Sequence, residues 1–291
     1  MKILPIAFDS MGTRSMCTFV KTKDVKILID PGVALGPSRY GLPPHPIEIQ
    51  QRKEHWQAIV KYAMQADVLI VTHYHYDHHR PDENLEIYED KTVFVKHPEE
   101  NINKSQKERA GYFLSKIEDI AKSIQYADGK EFLFGNTKIK FSQAVFHGTN
   151  AKLGYVIETL IDDGYRFIHT SDVEGPSIAE QVEFILQNRP NLVILDGPLS
   201  YVLGYRYSYK SLQLAVENMI KIANMDSIET LIVDHHFLRD LKWKQRIASV
   251  FDAANRKGAK VLTAAEYAGK PVKMLEAHRK ELYEGTYRAP T

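Results

Sequence analysis

Short apolar runs recur along the whole chain, and they constrain its fold more than any other feature. Runs such as VKILID, DVLIVTH, YRFIHTSD, LVILDG and TLIVDHH have the length and composition of buried strands. The early runs follow one another closely, the later ones alternate with helical segments, and this order recurs loosely in the second half of the chain. We therefore predict a single α/β domain over residues 1–291, made of two similar halves that share one core.

Segments with helical periodicity separate several of these runs. The segment SQKERAGYFLSKIEDIAKSI predicts a helix, because its apolar residues fall on one helical face: Ala110, Phe113, Leu114, Ile117, Ala121 and Ile124. We expect further helices at about 48–64, 178–188, 240–256 and 273–284, and one that begins at about 211. A long Gly- and Pro-rich loop is predicted instead for residues 31–46, PGVALGPSRYGLPPHP. It could form a lid, a wall of the substrate site or a dimer contact.

Composition narrows the classes of function. The chain has 38 Lys and Arg residues and 37 Asp and Glu residues, so its net charge is +1. This balance indicates neither nucleic acid nor cations as partners. Cys17 is the single cysteine and can form no internal disulfide. No apolar stretch approaches the ~20 residues of a membrane span, so we expect a soluble cytoplasmic protein without a membrane partner.

Histidine and aspartate residues follow directly on the predicted strands. The segment VTHYHYDHHRP after one strand holds His73, His75, Asp77 and His78, and other strand ends carry Asp30, His147, Asp172 and His235. Because strand ends meet at one edge of a sheet, we expect these side chains to converge. A divalent cation would satisfy them together. Zinc suits imidazole and carboxylate ligands best, with iron or manganese as alternatives.

Two positions in these segments are ambiguous. VDHH offers both His235 and His236 as the last ligand, and successive side chains at a strand tip point to opposite sides, so only one should reach the site. We favour His235, because it follows its strand as His73 follows VLIVT. His79 is interpreted as a residue that begins a helix, with a donor to the ligands as the alternative.

The order H-x-H-x-D-H, His, Asp, His, preceded by a strand-end aspartate, resembles the metallo-β-lactamase superfamily from about Asp30 to His235. This resemblance implies a four-layer αββα sandwich. It also implies two divalent metal ions, with ligands His73, His75 and His147 for one, ligands Asp77, His78 and His235 for the other, and Asp172 as the bridge. Asp30 would orient these ligands by hydrogen bonding. The stretches LIDPG, HTSDVEGP, ILDGPLSY and VDHHFLRD look like an archaeal branch of predicted metal-dependent hydrolases.

The resemblance also implies hydrolysis, with Asp77 and Asp172 as catalytic residues. Two bridged ions lower the pKa of a shared water to about 7. An aspartate at the position of Asp172 resembles the thioesterase, lactonase, phosphodiesterase and RNA-processing branches, whereas zinc β-lactamases commonly have cysteine there. Only 62 residues separate Asp172 from His235, which leaves no room for the inserted domain of larger RNA-processing enzymes. We therefore predict a phosphodiester substrate, with a thioester or lactone as alternatives, in a small molecule or short ester.

Other functions stay open at this point. One alternative is an iron-dependent oxidoreductase of the same fold, although such enzymes usually have an acid at the position of His75. Another is a non-catalytic metal-binding protein, although such a protein would not need all seven ligand positions filled, as they are here. A proton donor to the leaving group could be His169, His236 or a tyrosine.

Several basic and aromatic residues are further candidates for the site. GYRYSY places Arg206 among Tyr205, Tyr207 and Tyr209, where these residues could bind a phosphate, stack on a base or simply cover the core. The basic run Arg239 to Arg246 is interpreted as a solvated helix face. Arg14 and His45 also lie near the predicted site in sequence.

Overall fold

Two β-sheets, each built from one half of the chain, dominate the computed structural model, which describes residues 1–290. The first sheet contains β1 (Lys2–Phe8), β2 (Met16–Lys21), β3 (Lys26–Ile29), β4 (Val68–Val71), β5 (Thr92–Val95) and β6 (Ser123–Tyr126). The second contains β7 (Glu131–Phe134), β8 (Thr137–Phe141), β11 (Thr159–Asp162), β12 (Arg166–His169), β13 (Leu192–Asp196), β14 (Thr230–Asp234) and β15 (Lys260–Leu262), while β9 (Val145–Phe146) pairs with β10 (Tyr155–Val156).

Eight α-helices connect or flank these strands within the described residues. They are α1 (Pro46–Ala63), α2 (Lys104–Ile117), α3 (Glu180–Asn188), α4 (Tyr209–Ala223), α5 (Trp243–Arg246), α6 (Ala248–Lys257), α7 (Ala264–Tyr267) and α8 (Arg279–Tyr283). Short 3₁₀ turns include Asp9–Met11, Ser200–Val202 and His235–Arg239. Over residues 1–290, no helix combines the length and the apolar character that crossing a lipid bilayer requires.

Antiparallel strands give way to parallel strands in the same order in both sheets. In the first sheet β1, β2 and β3 pair antiparallel, and β3 to β6 pair parallel. In the second sheet β7, β8, β11 and β12 pair antiparallel, and β12 to β15 pair parallel. Parallel neighbours need crossover connections, and α1, α2, α3 and α4 lie in four of them.

Alternation along the strands places the sheets back to back. In β4, Val68 and Ile70 pack into the core between the two sheets, whereas Leu69 and Val71 pack against α1 and α2. Strand β13 repeats this alternation between the inner core and α3 and α4. The layers therefore run helix, sheet, sheet, helix, and the predicted αββα sandwich is confirmed.

Three predicted elements are wrong in extent. The helix predicted as far as Ile124 ends at Ile117, and Ile124 lies in β6. Ala121 and Ile124 pack on the same outer core as α2, which explains why they shared its apolar pattern. The helix predicted at 240–256 is interrupted at Ile247, and the one predicted at 273–284 is confined to α8.

Gly32 allows the Gly- and Pro-rich loop to approach the histidine segment. A Cβ at this position would overlap with the backbone of His78 and His79. The carbonyl of Gly32 also accepts a hydrogen bond of 2.6 Å from Ser15 Oγ. The loop is therefore in direct backbone contact with the segment that carries the first predicted ligands.

We expect Gly32→Ala to lower the free energy of unfolding by about 1–3 kcal/mol, since the added methyl group must displace backbone. Chemical denaturation of the purified protein measures this change. Gly111→Ala is the matched control, because it lies in α2 with no atom within 4 Å of the added Cβ, and alanine should stabilise the helix there. Equal effects of the two substitutions would contradict the close contact at Gly32.

Candidate metal centre

All seven residues predicted as metal ligands lie close together at the ends of strands from both halves of the chain. The segment with His73, His75, Asp77 and His78 follows β4, while His147 follows β9, Asp172 comes shortly after β12 and His235 follows β14. Their side chains form two groups. One contains His73, His75, His147 and Asp172, the other contains Asp77, His78, Asp172 and His235, and the potential ligand atoms within each group lie within 4.8 Å of one another.

The carboxylate of Asp172 lies between these two groups. Its Oδ2 is 3.5 Å from His73 Nε2 and 3.3 Å from His147 Nε2. Its Oδ1 is 2.9 Å from His78 Nε2 and 3.3 Å from His235 Nε2. Each oxygen of one buried carboxylate therefore faces a different set of imidazoles.

Buried carboxylates hold the outer nitrogens of two of these histidines. His78 Nδ1 donates to Asp30 Oδ2 at 2.8 Å, and His235 Nδ1 donates to Asp9 Oδ2 at 2.7 Å. An ionised carboxylate only accepts, so each Nδ1 carries a proton, and each Nε2 is turned toward Asp172. Asp30 thus has the orienting geometry that the sequence predicts.

Positive φ angles cluster at the site. Asp30, Ser171, Glu174 and His235 have φ angles of 51°, 58°, 51° and 60°. Non-glycine residues rarely adopt this left-handed conformation, and such strain is often found at functional sites. The chain turns sharply at these positions, which directs the strand-end side chains into the cluster.

The turn at His235 also overturns one sequence expectation. Strand β14 ends at Asp234, and the left-handed residue that follows breaks the strand alternation. His236 therefore reaches the site as well, where its Nδ1 donates to Asp196 Oδ2 at 2.9 Å and it groups with Asp172 and Asp196. The expectation that only one of the two histidines reaches the cluster is wrong.

The electrostatics of the cluster favour neutral imidazoles at two positions. Burial, together with the neighbouring His78, holds the pKa of His73 well below its usual range, and burial beside His147 lowers the pKa of His75 to about 3. Burial also opposes charge on His78, but the carboxylates of Asp172 and Asp30 raise its pKa to about 10. Asp172 in turn has a pKa well below its usual value, because the nearby imidazoles outweigh the effect of its burial.

Two buried ring nitrogens provide a test of whether a metal ion fits. Within residues 1–290, His73 Nε2 and His147 Nε2 form no hydrogen bond, although both face Asp172. Buried polar atoms without a partner are costly and uncommon in proteins. Imidazoles beside a carboxylate are the ligand set of a divalent cation, so these residues fit one.

The cluster opens into a cleft of about 480 Å³. Site residues His75, Asp77, His147, Asp172 and His236 line it, together with Pro37 of the Gly- and Pro-rich loop. The same loop is tied to the second half of the molecule, because Arg39 Nη2 donates to the carbonyl of Arg239 at 3.0 Å. The loop therefore forms part of the cleft wall.

The accessory candidates from the sequence separate into two groups. Arg14 and Arg206 line the cleft. His45 instead caps the N-terminus of α1. His169 is fully buried, with Nε2 2.9 Å from the carbonyl of Met16 and Nδ1 accepting from Ser171 N, so it cannot donate a proton to a leaving group.

The remaining candidates also differ in their surroundings. Tyr207 is buried, whereas Tyr205 and Tyr209 are 86% and 69% exposed. His79 is buried, with its ring against Phe113 and its Nδ1 3.0 Å from the carbonyl of His75. Of these residues, Tyr207 and His79 therefore pack within the protein, and the interpretation of His79 as the beginning of a helix is wrong, because no helix begins there.

Arg239 corrects the interpretation of the basic run. Its side chain is buried, and its Nε donates to Asp9 Oδ1 at 2.7 Å, while Asp9 Oδ2 accepts from His235. The prediction that this run forms a solvated helix face is therefore wrong for its first residue, Arg239. Sequence reasoning also missed Asp9 and Asp196, although each ends or follows a strand, so the rule that identified Asp30 could have found both.

Relatives of high identity cover almost the whole chain. It is 58% identical over 285 residues to a UPF0282 protein of Korarchaeum cryptofilum, covering 98% of this chain and 95% of that protein. It is 52% identical over 287 residues to a UPF0282 protein of Metallosphaera sedula, covering 97% and 93% of the two chains. No protein-family model matches the sequence.

Solved structures share the fold at low sequence identity. A possible metal-dependent hydrolase from Veillonella parvula has a TM-score of 0.54 at 15% identity, covering 87% of this chain and 94% of that one. Zinc-bound PqqB from Methylobacterium extorquens has a TM-score of 0.52 at 11% identity, covering 90% and 98% of the two chains. The fold is that of the metallo-β-lactamase superfamily, as the sequence predicts.

We expect Arg239→Met to lower the free energy of unfolding by about 3–5 kcal/mol, because it leaves the buried carboxylate of Asp9 without its cation. Urea or guanidinium unfolding measures the change. Lys257→Met is the matched control, since it removes a cation from an exposed pair with Asp226 and should change stability little. If both variants unfolded at the same denaturant concentration, the buried charge of Asp9 would not require Arg239 for its stabilisation.

Proposed function

The chain belongs to the UPF0282 family, and we propose that it is a metal-dependent hydrolase with two metal ions. The observation that carries this proposal is the position of Asp172, whose two carboxylate oxygens face separate sets of imidazoles. A single buried acid that serves two ligand sets has the arrangement of a bridging ligand.

Each proposed ion would have a ligand set drawn from both halves of the chain. His73, His75, His147 and Asp172 would hold one ion, and Asp77, His78, Asp172 and His235 would hold the other. Imidazole and carboxylate ligands suit zinc best, with manganese or iron as alternatives. The prediction of His235 as a ligand is supported by the 3.3 Å between its Nε2 and Asp172 Oδ1 and by its place in the group with Asp77, His78 and Asp172, which does not include His236.

Bound ions of this kind lower the pKa of water and polarise the oxygen of an ester or phosphoryl group. The protein contributes the orientation of the groups around them. Asp30 and Asp9 fix the direction of His78 and His235, and Asp172 and Asp77 are the proposed catalytic carboxylates because they lie at the reacting centre. Asp196 orients the ring of His236 in the cleft wall.

The cleft favours a small substrate. Its volume of about 480 Å³ lies within the range of about 300–1,000 Å³ that small-molecule sites occupy. A phosphodiester is the proposed substrate, with a thioester or lactone as alternatives, since in each of them water attacks a phosphorus or carbonyl carbon atom whose oxygen a metal ion would polarise.

We expect the wild-type protein, loaded with zinc and dialysed, to hold two ions per chain and to hydrolyse bis(4-nitrophenyl) phosphate. Asp172→Asn should lose at least one ion and reduce hydrolysis by more than about a hundredfold, because the bridging charge is removed. Inductively coupled plasma mass spectrometry measures the metal, and nitrophenolate release measures turnover.

Asp226→Asn is the control for this experiment, because it removes an exposed carboxylate far outside the cluster. It should retain both ions and full turnover. Less than one ion per wild-type chain would refute the proposal. Oxygen consumption by iron-loaded protein, without hydrolysis of phosphodiesters, thioesters or lactones, would replace it by an oxidoreductase.

A further inference from the structure

Four arginines line the cleft, and two of them are already neutralised by acids. Arg14 forms a bidentate pair with Glu276, with both N–O distances at 2.6 Å. Arg239 pairs with Asp9 at 2.7 Å. These two side chains are held by the protein itself and have structural roles.

The other two arginines, Arg109 and Arg206, have no such partner. Within residues 1–290, no carboxylate oxygen lies within 4.0 Å of either guanidinium. Arg109 extends from α2 in the first half of the chain, and Arg206 follows the Ser200–Val202 turn in the second half. Each half therefore contributes one free guanidinium to the cleft wall.

Arg109 is also positioned by its surroundings. Its guanidinium carbon lies 5.0 Å from the centre of the Tyr76 ring, which is within the range of a cation–π contact. Tyr76 also lines the cleft, next to His75 and Asp77 in sequence. The contact holds the charge beside the candidate metal centre without neutralising it.

A side pocket of about 260 Å³ next to Arg206 carries a further positive charge. This pocket shares His147, Glu174 and Arg206 with the cleft and adds Lys152, which has no ion-pair partner within the described chain. Of the acids in the cleft, Asp77 and Asp172 face the imidazoles of the cluster, and Glu174 Oε1 lies 3.6 Å from Nδ1 of His147. The unpaired charge in the outer part of the cleft is therefore positive.

We propose that Arg109 and Arg206 bind an anionic group, a carboxylate or a phosphate, on the part of the substrate that does not react. The inference rests on the proposed function, because it takes the reacting group to lie at the metal centre. Guanidinium groups bind both oxyanions through pairs of charge-assisted hydrogen bonds, and this binding is stronger inside a cleft than at an open surface. The substrate would thus be a small ester with a second, charged end.

Dicarboxylates of increasing length provide a direct test, with the zinc-loaded protein and isothermal titration calorimetry. Each acid from succinate to suberate is compared with its monomethyl ester, so that the ratio of the two dissociation constants isolates the second charge. At the length that fits, we expect wild type to bind the dicarboxylate about tenfold more tightly than the monoester. Replacing one carboxylate by a phosphonate then distinguishes the two oxyanions.

Arg109→Gln and Arg206→Gln should each reduce this preference severalfold, and the double variant should abolish it. Arg206→Lys should retain part of it, because the charge remains. Arg256→Gln, an exposed arginine on α6 without an ion-pair partner in the described chain, is the matched control and should leave the preference unchanged. Unfolding curves confirm that each variant is folded.

The titration measures binding and not turnover. A protein that hydrolyses none of the tested esters could still prefer the dicarboxylate to its monoester, so the proposed hydrolase function and the proposed anion site can fail separately. Absence of any wild-type preference would overturn this inference, as would the same preference in the double variant or its loss in Arg256→Gln. Tighter binding of a 20-nucleotide single strand that depends steeply on salt and on the same arginines would also overturn it, in favour of a nucleic acid ligand.

Discussion

The carboxylate of Asp172 is the point at which the two halves of this protein meet. It is almost fully buried, and such a charge is tolerated only when neighbouring groups compensate for the lost water. Imidazoles that follow β4 in the first half of the chain, and β9 and β14 in the second half, surround it at 2.9–3.5 Å. Two sheets packed back to back, with their relevant strand ends at one edge, are what bring these groups within reach of one acid.

A second layer of charge supports this centre. Asp30 and Asp9 hold the outer nitrogens of His78 and His235, and Arg239 compensates the charge of Asp9. Further out, the bidentate pair of Arg279 with Glu48 connects α8 to α1, with both N–O distances at 2.8 Å. Removing one partner from a buried pair leaves an unpaired charge, so the geometry of the centre also depends on residues outside the proposed ligand sets.

Local patterns in the sequence predict the strands and the convergence of the strand-end residues, whereas the layer order is what the resemblance to the metallo-β-lactamase superfamily implies. The unbroken apolar runs VLIV and LVILD are typical of strands that are buried on both faces, as the structure shows between the inner core and the outer helices. The role of Arg239 is not predictable in this way, because its partner Asp9 is 230 positions away and no local pattern links them. The position of His236 differs from the prediction because strand alternation does not continue past the left-handed turn at His235.

The bond between Asp9 and His235 also determines when this centre can form. It joins residues 226 positions apart, one just after the first strand and the other after the fourteenth. During synthesis the segment with His73 and His78 emerges early, but its partners from the second half arrive much later, and closing so long a loop is slow. The nascent first half therefore carries an incomplete set of ligands, and the centre can be completed only after the segment with His235 has been synthesised.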